Sequence, residues 1–486
     1  MLTAPSVYRV VPRQLRRCLL LLPTLASGCA VNPVTGSREL VLISEGQEIQ
    51  MGRDADESIV QSLGLVEDLG WQEYVQRLGE RMARQSERPN LPWTFRVVDD
   101  PVVNAFALPG GFVYMTRGIL GHFSSEAELA GVLGHEIGHV TARHSVNQMS
   151  RSQLAQFGLG VGSVLAPDLA SLAQAAEAGL GLLFLSHGRE DERQADVLGL
   201  RYMTRDSYDP REMAETFEML ADASGAREGG RVPAFLSTHP DPLERRDAIL
   251  QRIEAGEVSG EVILREEYLD RLAGLTFGSD PRQGYFEQSR FFHPELRFRL
   301  DFPEGWQTQN GREAVQGISP EQDAAMVLTL EEVSSAQAAR EAFLTAAGIT
   351  GSETGAGAVG GLPSASADFS ATTGEGTVVG AVMFIQHDGR VFRILGYAAE
   401  ANWDARSDAI RGGVRSFQSV DDPSILNVQP NRIELVRTTP DMTLTEFHER
   451  YPSSVSVEIV ATINHLESGE RIPSGTLMKR VVEGSP

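Results

Sequence analysis

Residues 135–144 read HEIGHVTARH, with two histidines four positions apart and a glutamate directly after the first. On an α-helix of 3.6 residues per turn, His135 and His139 lie about 40° apart on one face, so two imidazole nitrogens can meet a single ion. Glu136 lies roughly 100° around the helix from His135, near enough to reach a water on that ion without binding the ion itself. The segment therefore predicts a metal site on a helix.

Chance or a purely structural histidine pair would account for this segment less well than a metal site. Chance alone places the three-residue pattern in a chain of 486 residues on the order of once in a hundred sequences. A buried histidine pair satisfied by hydrogen bonds would leave Glu136 as an unpaired charge in a glycine-rich helix. Upstream, Ser125 and Glu128 fit a capping box that begins the helix.

A catalytic zinc ion needs three protein ligands and one open position for water. The third ligand must come from another element, and the candidate stretch is SHGREDERQADVLGLRYM. Its Glu192 and Asp196 are spaced i and i+4 and share a helix face. An acidic helix face is ordinarily only a solvated surface, so this stretch carries weight only together with the histidine pair.

HEIGHVTARH and REDERQAD, in combination, resemble the zinc metallopeptidase family of HtpX and the CAAX prenyl proteases, gluzincins with an HEXXH motif and a second motif E-x-x-A-D. The flanking NPVTGSRELVLISEGQEIQMG and NAFALPGGFVYMTRGIL are similar to the soluble periplasmic BepA-like branch of that family. The resemblance covers residues 31–275. It implies three ligands for one Zn²⁺ ion, which are His135, His139 and Glu192.

The resemblance also implies a mechanism. A zinc-activated water attacks a peptide carbonyl while Glu136 takes its proton as general base. Asp196 would hold a ligand imidazole in its metal-binding tautomer. The sequence departs from the family at SHGRE, where a tyrosine or phenylalanine and then a serine often precede the arginine, and this departure changes the wall of the pocket.

The oxyanion formed in such a reaction needs a second stabilising group. His239, in STHPDPLERR, is the candidate for that role or for a fourth, inhibitory ligand, because related proteases have a similar Thr-His-Pro followed by an arginine, here Arg245. A loop histidine shaped by the following proline is an equal alternative. His144, about 140° beyond His139 on a continuous helix, faces elsewhere and is expected to be structural.

A hairpin is predicted before the histidine helix. NAFALPGGFVYMTRGIL has a Pro-Gly-Gly turn between two short apolar runs, and the strand-like WTFRVVDD precedes it. If FVYMT is an edge strand, an extended polypeptide can add to it through main-chain hydrogen bonds, with little sequence selectivity. Unfolded proteins would then be the preferred substrates.

The N-terminal segment predicts export. MLTAPSVYRVVPRQLRRCLLLLPTLASGC has four arginines, an apolar run too short to span a bilayer and then small residues, which is typical of a signal peptide over residues 1–28. ASGC resembles a bacterial lipobox, with the preferred leucine one position early at Leu25. Lipidation of Cys29 is favoured over a plain cleaved signal because the other cysteine, Cys18, lies within the signal. Ala30, rather than an aspartate, follows Cys29, and resemblance to Gram-negative sorting rules then implies anchoring to the outer membrane, facing the periplasm.

The expected fold is multidomain α+β. The predicted segments in chain order are a lipidated tether (29–43), a mainly helical zincin-type protease domain with a small sheet (44–275), a linker (276–289), an α+β domain of unknown function (290–418) and a LysM-like module (428–484). Within the α+β domain, the glycine-rich GSETGAGAVGGLPSASA is expected to be a loop. Residues 145–185 predict a buried helical pair rather than a membrane span, because no uncharged run reaches about 20 residues.

The last predicted domain has a strand, helix, helix, strand order, with a capping box at Thr443 and Glu446. This order, together with RIPSGTL, resembles the LysM module, which binds N-acetylglucosamine-containing glycans such as peptidoglycan. Pro440 and Met442 depart from the usual turn at the sugar-binding end, so a structural module or a protein-docking surface is an equal alternative.

Charge excludes one class of partner. Lysine and arginine number 43 against 66 aspartates and glutamates, and the net charge of −23 opposes binding to the phosphate backbone of nucleic acids. The expected function is a zinc metalloendopeptidase of the cell envelope, acting on misfolded or misassembled periplasmic and outer-membrane proteins. The alternative is a non-proteolytic scaffold or chaperone that links the outer membrane to peptidoglycan.

Overall fold

The computed structural model describes residues 29–158, 187–225, 235, 238–373, 376–467 and 469–484. They form two compact units, one drawn mainly from residues up to 271 and the other mainly from later residues. This division lies near the predicted end of the protease domain at 275. The predicted signal peptide, and residues 159–186 of the predicted helical pair, lie outside the described residues.

The first unit is mainly helical with a small sheet, as predicted. Its strands are β1 (Cys29–Val31), β2 (Arg38–Leu40), β3 (Thr94–Val98), β4 (Ala105–Leu108) and β5 (Phe112–Thr116). Its helices are α1 (Glu45–Leu63), α2 (Leu69–Ala83), α3 (Arg117–His122), α4 (Glu126–Thr141), α5 (His144–Gly158), α6 (Arg189–Arg205), α7 (Arg211–Gly225), α8 (Pro242–Glu254) and α9 (Arg265–Leu272). Among the described residues, no helix is both long and apolar enough to cross a membrane. The segment predicted as a tether contains the antiparallel pair β1 and β2.

The predicted hairpin is present, but the edge-strand placement of FVYMT is wrong. The sheet order is β3-β5-β4, in which β5 pairs in parallel with β3 and antiparallel with β4. All five residues of β5 are buried, as expected for a run that is apolar at nearly every position and paired on both sides. Among the described residues, the edge strand next to the histidine helix α4 is β4.

Helices α4 and α6 cross in close contact because glycines lie at the crossing. A Cβ atom on Gly138 would lie 3.0 Å from the carbonyl oxygen of Ala195, and one on Gly199 would lie 2.9 Å from the backbone nitrogen of His135. Each glycine costs about 1 kcal/mol of helix stability relative to alanine. In return the two backbones approach closely enough for the first turns of α6 to face the histidine pair.

The second unit is rich in strands and includes residues 290–418, the range predicted as an α+β domain. Its strands are β6 (Tyr285–Glu287), β7 (Arg290–His293), β8 (Phe298–Asp301), β9 (Gln307–Asn310), β10 (Ala314–Ile318), β11 (Ala324–Glu331), β12 (Ile349–Val359), β13 (Leu362–Thr373), β14 (Gly376–His387), β15 (Arg390–Ala399), β16 (Gln418–Ser419), β17 (Asn431–Arg437), β18 (Met442–Thr443), β19 (Arg471–Ile472) and β20 (Leu477–Glu483). Its helices are α10 (Ala336–Thr345), α11 (Trp403–Val414), α12 (Pro423–Leu426) and α13 (Leu444–Arg450). Helix α14 (Val457–Ile463) is divided between the two units after Val460. The segment predicted as a linker contains β6, which pairs with β7.

The glycine-rich segment predicted as a loop is a β-hairpin, so that prediction is wrong. Strands β12 and β13 pair antiparallel across a turn at Gly360 and Gly361, whose φ angles of 57° and 83° are left-handed. They form one edge of a seven-stranded sheet with the order β12-β13-β14-β15-β11-β10-β9. Since most of β12 is exposed, its sequence has no alternation of apolar and polar residues that would have predicted a strand.

The C-terminal elements include the predicted strand, helix, helix and strand, and two further two-residue strands, β18 and β19, flank the helices in the chain. Strands β17 and β20 pair antiparallel, with α13 and α14 between them in the chain. The predicted capping box is present, because Thr443 Oγ1 accepts from the Glu446 N–H at 3.2 Å and Glu446 Oε2 accepts from the Thr443 N–H at 2.7 Å.

Candidate metal centre

Four side chains with metal-binding atoms converge in the first unit. Helix α4 supplies His135 and His139, α6 supplies Glu192 from its first turn, and the segment before α8 supplies His239. One donor atom from each lies within 4.8 Å of the others, and each residue is at most 2% exposed. The three residues predicted as ligands are therefore brought together, with His239 as a fourth donor, and the group could hold a metal ion.

The donor atoms are spaced as a small tetrahedral ion requires. His135 Nε2 lies 2.9 Å from His139 Nε2 and 3.5 Å from Glu192 Oε2, and His139 Nε2 lies 3.4 Å from Glu192 Oε1. His239 Nδ1 lies 3.3 Å from His135 Nε2 and 3.0 Å from Glu192 Oε2. Ligands about 2.0–2.1 Å from a tetrahedral zinc ion are about 3.3 Å from one another, so the residues present fit zinc.

The other ring nitrogen of His135 faces a carboxylate. Asp196 Oδ1 lies 2.9 Å from His135 Nδ1, and Arg245 donates from Nε to Asp196 Oδ2 at 2.8 Å and from Nη2 to Oδ1 at 2.6 Å. Burial alone would raise the pKa of the Asp196 carboxyl, but Arg245 and His135 lower it, so the group is ionised. When the Nδ1 proton of a neutral His135 is donated to Asp196, the lone pair lies on Nε2, where it can bind a metal.

Glu192 is held as a carboxylate by its surroundings. Burial alone would raise the pKa of its carboxyl, but the neighbouring His239 and His139 lower it strongly. Arg245 Nη1 lies 3.0 Å from Glu192 Oε2, so one buried guanidinium contacts both buried carboxylates of α6. Arginine is suited to this position because it stays charged when buried.

Glu136 lies beside the four donors without joining them. It is 1% exposed, and its Oε1 is 3.6 Å from His239 Nε2 without a hydrogen-bond partner among the described residues. Burial raises the pKa of the Glu136 carboxyl, and the charges of His239 and His135 partly offset this. A buried carboxylate oxygen without a donor is unfavourable unless a water or a substrate group meets it, which suits a proton acceptor.

The prediction that His144 faces away from the site is wrong. It assumed a continuous helix, but α4 ends at Thr141 and Arg143 has a left-handed φ of 61° before α5 begins. The reversal brings His144 Nδ1 to 2.9 Å from His139 Nδ1. No glycine or asparagine at the turn signals this break in the sequence.

Two ring contacts around the donors were not predicted. The His187 ring stacks on His139 with centroids 4.1 Å apart, and the Phe235 ring stacks on His239 at 4.4 Å. Both contacts restrict rotation of a donor imidazole. His187 belongs to the SHGRE stretch that departs from the family pattern, and this departure is the signal that a different side chain lines the pocket there.

The chain matches the model of Peptidase family M48 over residues 71–253, a range that contains the four donor residues and Glu136. It is 30% identical over 233 residues to the Beta-barrel assembly-enhancing protease of Escherichia coli (strain K12). The aligned residues cover 46% of this chain and 47% of that protein. It is also 31% identical over 236 residues to the Mitochondrial metalloendopeptidase OMA1 of Schizosaccharomyces pombe, which covers 47% of this chain and 68% of that protein.

A third relative is the Mitochondrial metalloendopeptidase OMA1 of Arabidopsis thaliana, 35% identical over 170 residues, or 35% of this chain and 33% of that protein. The chain thus spans about half the length of the Escherichia coli relative. The family match around both motifs and the 31% identity across two thirds of the Schizosaccharomyces pombe protein confirm the predicted metallopeptidase family. The chain belongs to peptidase family M48.

Proposed function

We propose that the protein is a zinc-dependent metalloendopeptidase whose ligands are His135, His139 and Glu192. The observation that carries this proposal is the buried convergence of two imidazoles and a carboxylate at spacings that fit one tetrahedral ion. A set of two histidines and one glutamate, with a further position for water, is a common catalytic zinc arrangement.

Bound zinc supplies a Lewis acid that lowers the pKa of a water molecule to about 7. Glu136 is proposed to accept the proton of that water, because its buried Oε1 lies next to the donors and is not engaged by another described group. Asp196 keeps the proton of His135 on Nδ1, and Arg245 in turn holds Asp196. Glu136, Asp196 and Arg245 are all buried, so solvent water does not compete for the contacts that hold them in position.

His239 is proposed to be a fourth ligand in the resting protein. Its Nδ1 faces Glu192 and His135, while its Nε2 faces Glu136 at 3.6 Å. A fourth protein ligand fills the position that a reacting water requires, so hydrolysis would need His239 to turn away. In that turned position, it could donate a hydrogen bond to the oxyanion, the other role predicted for it.

The proposed substrates are unfolded or misassembled proteins of the cell envelope. The name of the Escherichia coli relative, which refers to β-barrel assembly, and the predicted signal peptide support this location. A small cleft is lined by Ala107 and Leu108 of the edge strand β4 and by His139 and Arg143, among others. A peptide extended along β4 would therefore pass the donor residues, with main-chain hydrogen bonds giving affinity for many sequences.

Lipidation of Cys29, attachment to the outer membrane and glycan binding by residues 428–484 complete the proposal. They rest on the lipobox-like ASGC and on the LysM-like order of elements. A scaffold that links membrane and peptidoglycan without proteolysis would share these features but would not need the buried donor set.

The test measures bound zinc and casein cleavage in the purified mature protein, in Glu136→Gln and in Glu73→Gln, an exposed control on α2. We expect about one zinc ion in all three proteins, cleavage by the unmodified protein and the control, and a loss of at least about 100-fold in Glu136→Gln. Equal cleavage by all three would remove Glu136 from the mechanism. Absence of zinc from all three would favour the scaffold.

A further inference from the structure

His139 and His144 are joined by a hydrogen bond between two ring nitrogens. Their Nδ1 atoms lie 2.9 Å apart, and the rings meet nearly edge to face at an interplanar angle of 76°. On its other side, His144 Nε2 lies 2.8 Å from Gln194 Oε1, which belongs to α6. His144 is 2% exposed, so water does not compete for either hydrogen bond.

This series of hydrogen bonds allows only one arrangement of protons when a metal is bound to His139. His139 Nε2 faces the donor set and must offer a lone pair there, so its proton lies on Nδ1. His144 Nδ1 must then accept that proton's hydrogen bond, which places the proton of His144 on Nε2. That proton is donated to Gln194 Oε1, an atom that can only accept.

The two histidines of α4 are therefore held by different groups. His135 Nδ1 faces the carboxylate of Asp196, whereas His139 Nδ1 faces a second imidazole. Both partners set the tautomer and the ring orientation of the histidine they contact. Because Gln194 and Glu192 are on the same helix, α6 supplies both a donor to the site and the group that fixes His144.

We propose that His144 is a positioning residue of the metal centre, which holds His139 in its Nε2-binding tautomer and is itself oriented by Gln194. The inference rests on the proposed function, since it assigns His139 as a ligand. It extends that function by naming two residues outside the donor set that control metal affinity. The left-handed backbone of Arg143 contributes to this arrangement, because it turns the chain so that His144 faces His139.

The test compares three substitutions in the full mature protein. Asparagine places an amide oxygen near the position of Nδ1, so His144→Asn keeps an acceptor for His139. Glutamine reaches nearer the position of Nε2, so His144→Gln keeps only the contact with Gln194, and His144→Leu keeps neither. The measurements are zinc affinity by chelator competition and the visible spectrum of the Co²⁺-substituted protein, which reports the geometry of the ligands.

We expect zinc affinity about 10–100-fold weaker in His144→Leu and His144→Gln, an altered Co²⁺ spectrum in both, and values close to the unmodified protein in His144→Asn. Gln194→Leu, which leaves the histidine in place, should weaken zinc binding by a smaller factor and serves if the His144 variants do not fold. Unchanged zinc affinity in both His144→Leu and Gln194→Leu, or an equal loss in all three His144 variants, would overturn this inference but not the proposed function. An unmodified protein that binds no zinc would overturn the proposed function as well.

Discussion

Arg245 and Asp196 form a two-point ion pair in the interior, with Nε and Nη2 of the arginine donating to separate carboxylate oxygens at 2.8 and 2.6 Å. The guanidinium also lies over the Phe217 ring at 4.1 Å and contacts Glu192 at 3.0 Å. Arg245 is 4% exposed, and it offsets the charges of two buried carboxylates of α6. The metal centre thus depends on a residue that is not one of its donors.

Arg245→Met should lower the free energy of unfolding of the first unit by about 3–5 kcal/mol, because it leaves Asp196 as a buried charge without its partner. Urea unfolding followed by circular dichroism measures this change. The matched control is Arg246→Met on the same helix, whose side chain pairs with exposed carboxylates and should change stability far less, because solvent screens such pairs. Similar losses in both variants would show that the buried pair has no special role.

Gly199→Ala should weaken both folding and metal binding. The added Cβ would lie 2.9 Å from the backbone nitrogen of His135, so α6 must move away from α4, at a cost of about 1–3 kcal/mol. Because Glu192 moves with α6, we expect lower zinc affinity in chelator competition. Gly46→Ala in α1 adds a Cβ to open space, so it should leave zinc affinity unchanged and should not destabilise the fold, since alanine favours a helix over glycine. An unaltered zinc affinity in Gly199→Ala would contradict the close-crossing argument.

Removal of zinc should destabilise the first unit. A ligand that binds only the folded state at a free concentration 1,000 times its Kd adds about 4 kcal/mol of stability. Excess chelator should therefore lower the melting temperature of the unmodified protein and of His448→Ala, which changes a histidine of the second unit. His135→Ala, which lacks a proposed ligand, should melt at the same temperature with and without chelator. A chelator-dependent melting temperature in His135→Ala would count against the ligand assignment.

The sequence predicts those parts of the site that are set by helix geometry. His135, Glu136 and His139 lie on one helix, so their spacing alone indicates that two imidazoles share a face. Glu192 comes from another helix, and its local spacing does not indicate where that helix packs. Only the resemblance to the metallopeptidase family assigns Glu192 to the site. The glycines that permit the crossing are visible in the sequence, but their contacts are set by tertiary packing.

Three features that differ from the sequence-based expectations depend on helix ends and on strand pairing. The orientation of His144 follows from the end of α4 and the left-handed Arg143, which no glycine marks. The β12–β13 hairpin is held by backbone pairing, which does not depend on side chains. Its glycine-rich sequence can therefore resemble a loop and still form strands. The position of FVYMT inside its sheet depends on the parallel β3, which lies earlier in the chain. The residue patterns in these segments do not by themselves reveal any of these three features.

The second unit contains a half-buried histidine, His293, that should make its stability depend on pH. Burial, together with the nearby charge of Arg390, lowers the pKa of His293 to about 4. Its Nδ1 accepts a hydrogen bond from the Leu296 N–H at 3.2 Å, which requires that this nitrogen carry no proton. In the unfolded chain a histidine has a pKa of about 6.5. Between pH 6.5 and 4 the unfolded state therefore binds more protons than the folded state, so stability falls as the pH falls.

His293→Phe should reduce this pH dependence. The variant is less stable at pH 7 because the Leu296 N–H loses its acceptor, but it has no imidazole to protonate, so it should lose on the order of 1 kcal/mol less than the unmodified protein between pH 6.5 and 5. Amide hydrogen exchange of peptides from residues 290–301, corrected for the intrinsic effect of pH, measures the difference. Peptides from α4 serve as the control and should respond alike in both proteins. The same pH response at residues 290–301 in both proteins would show that His293 is not the group responsible.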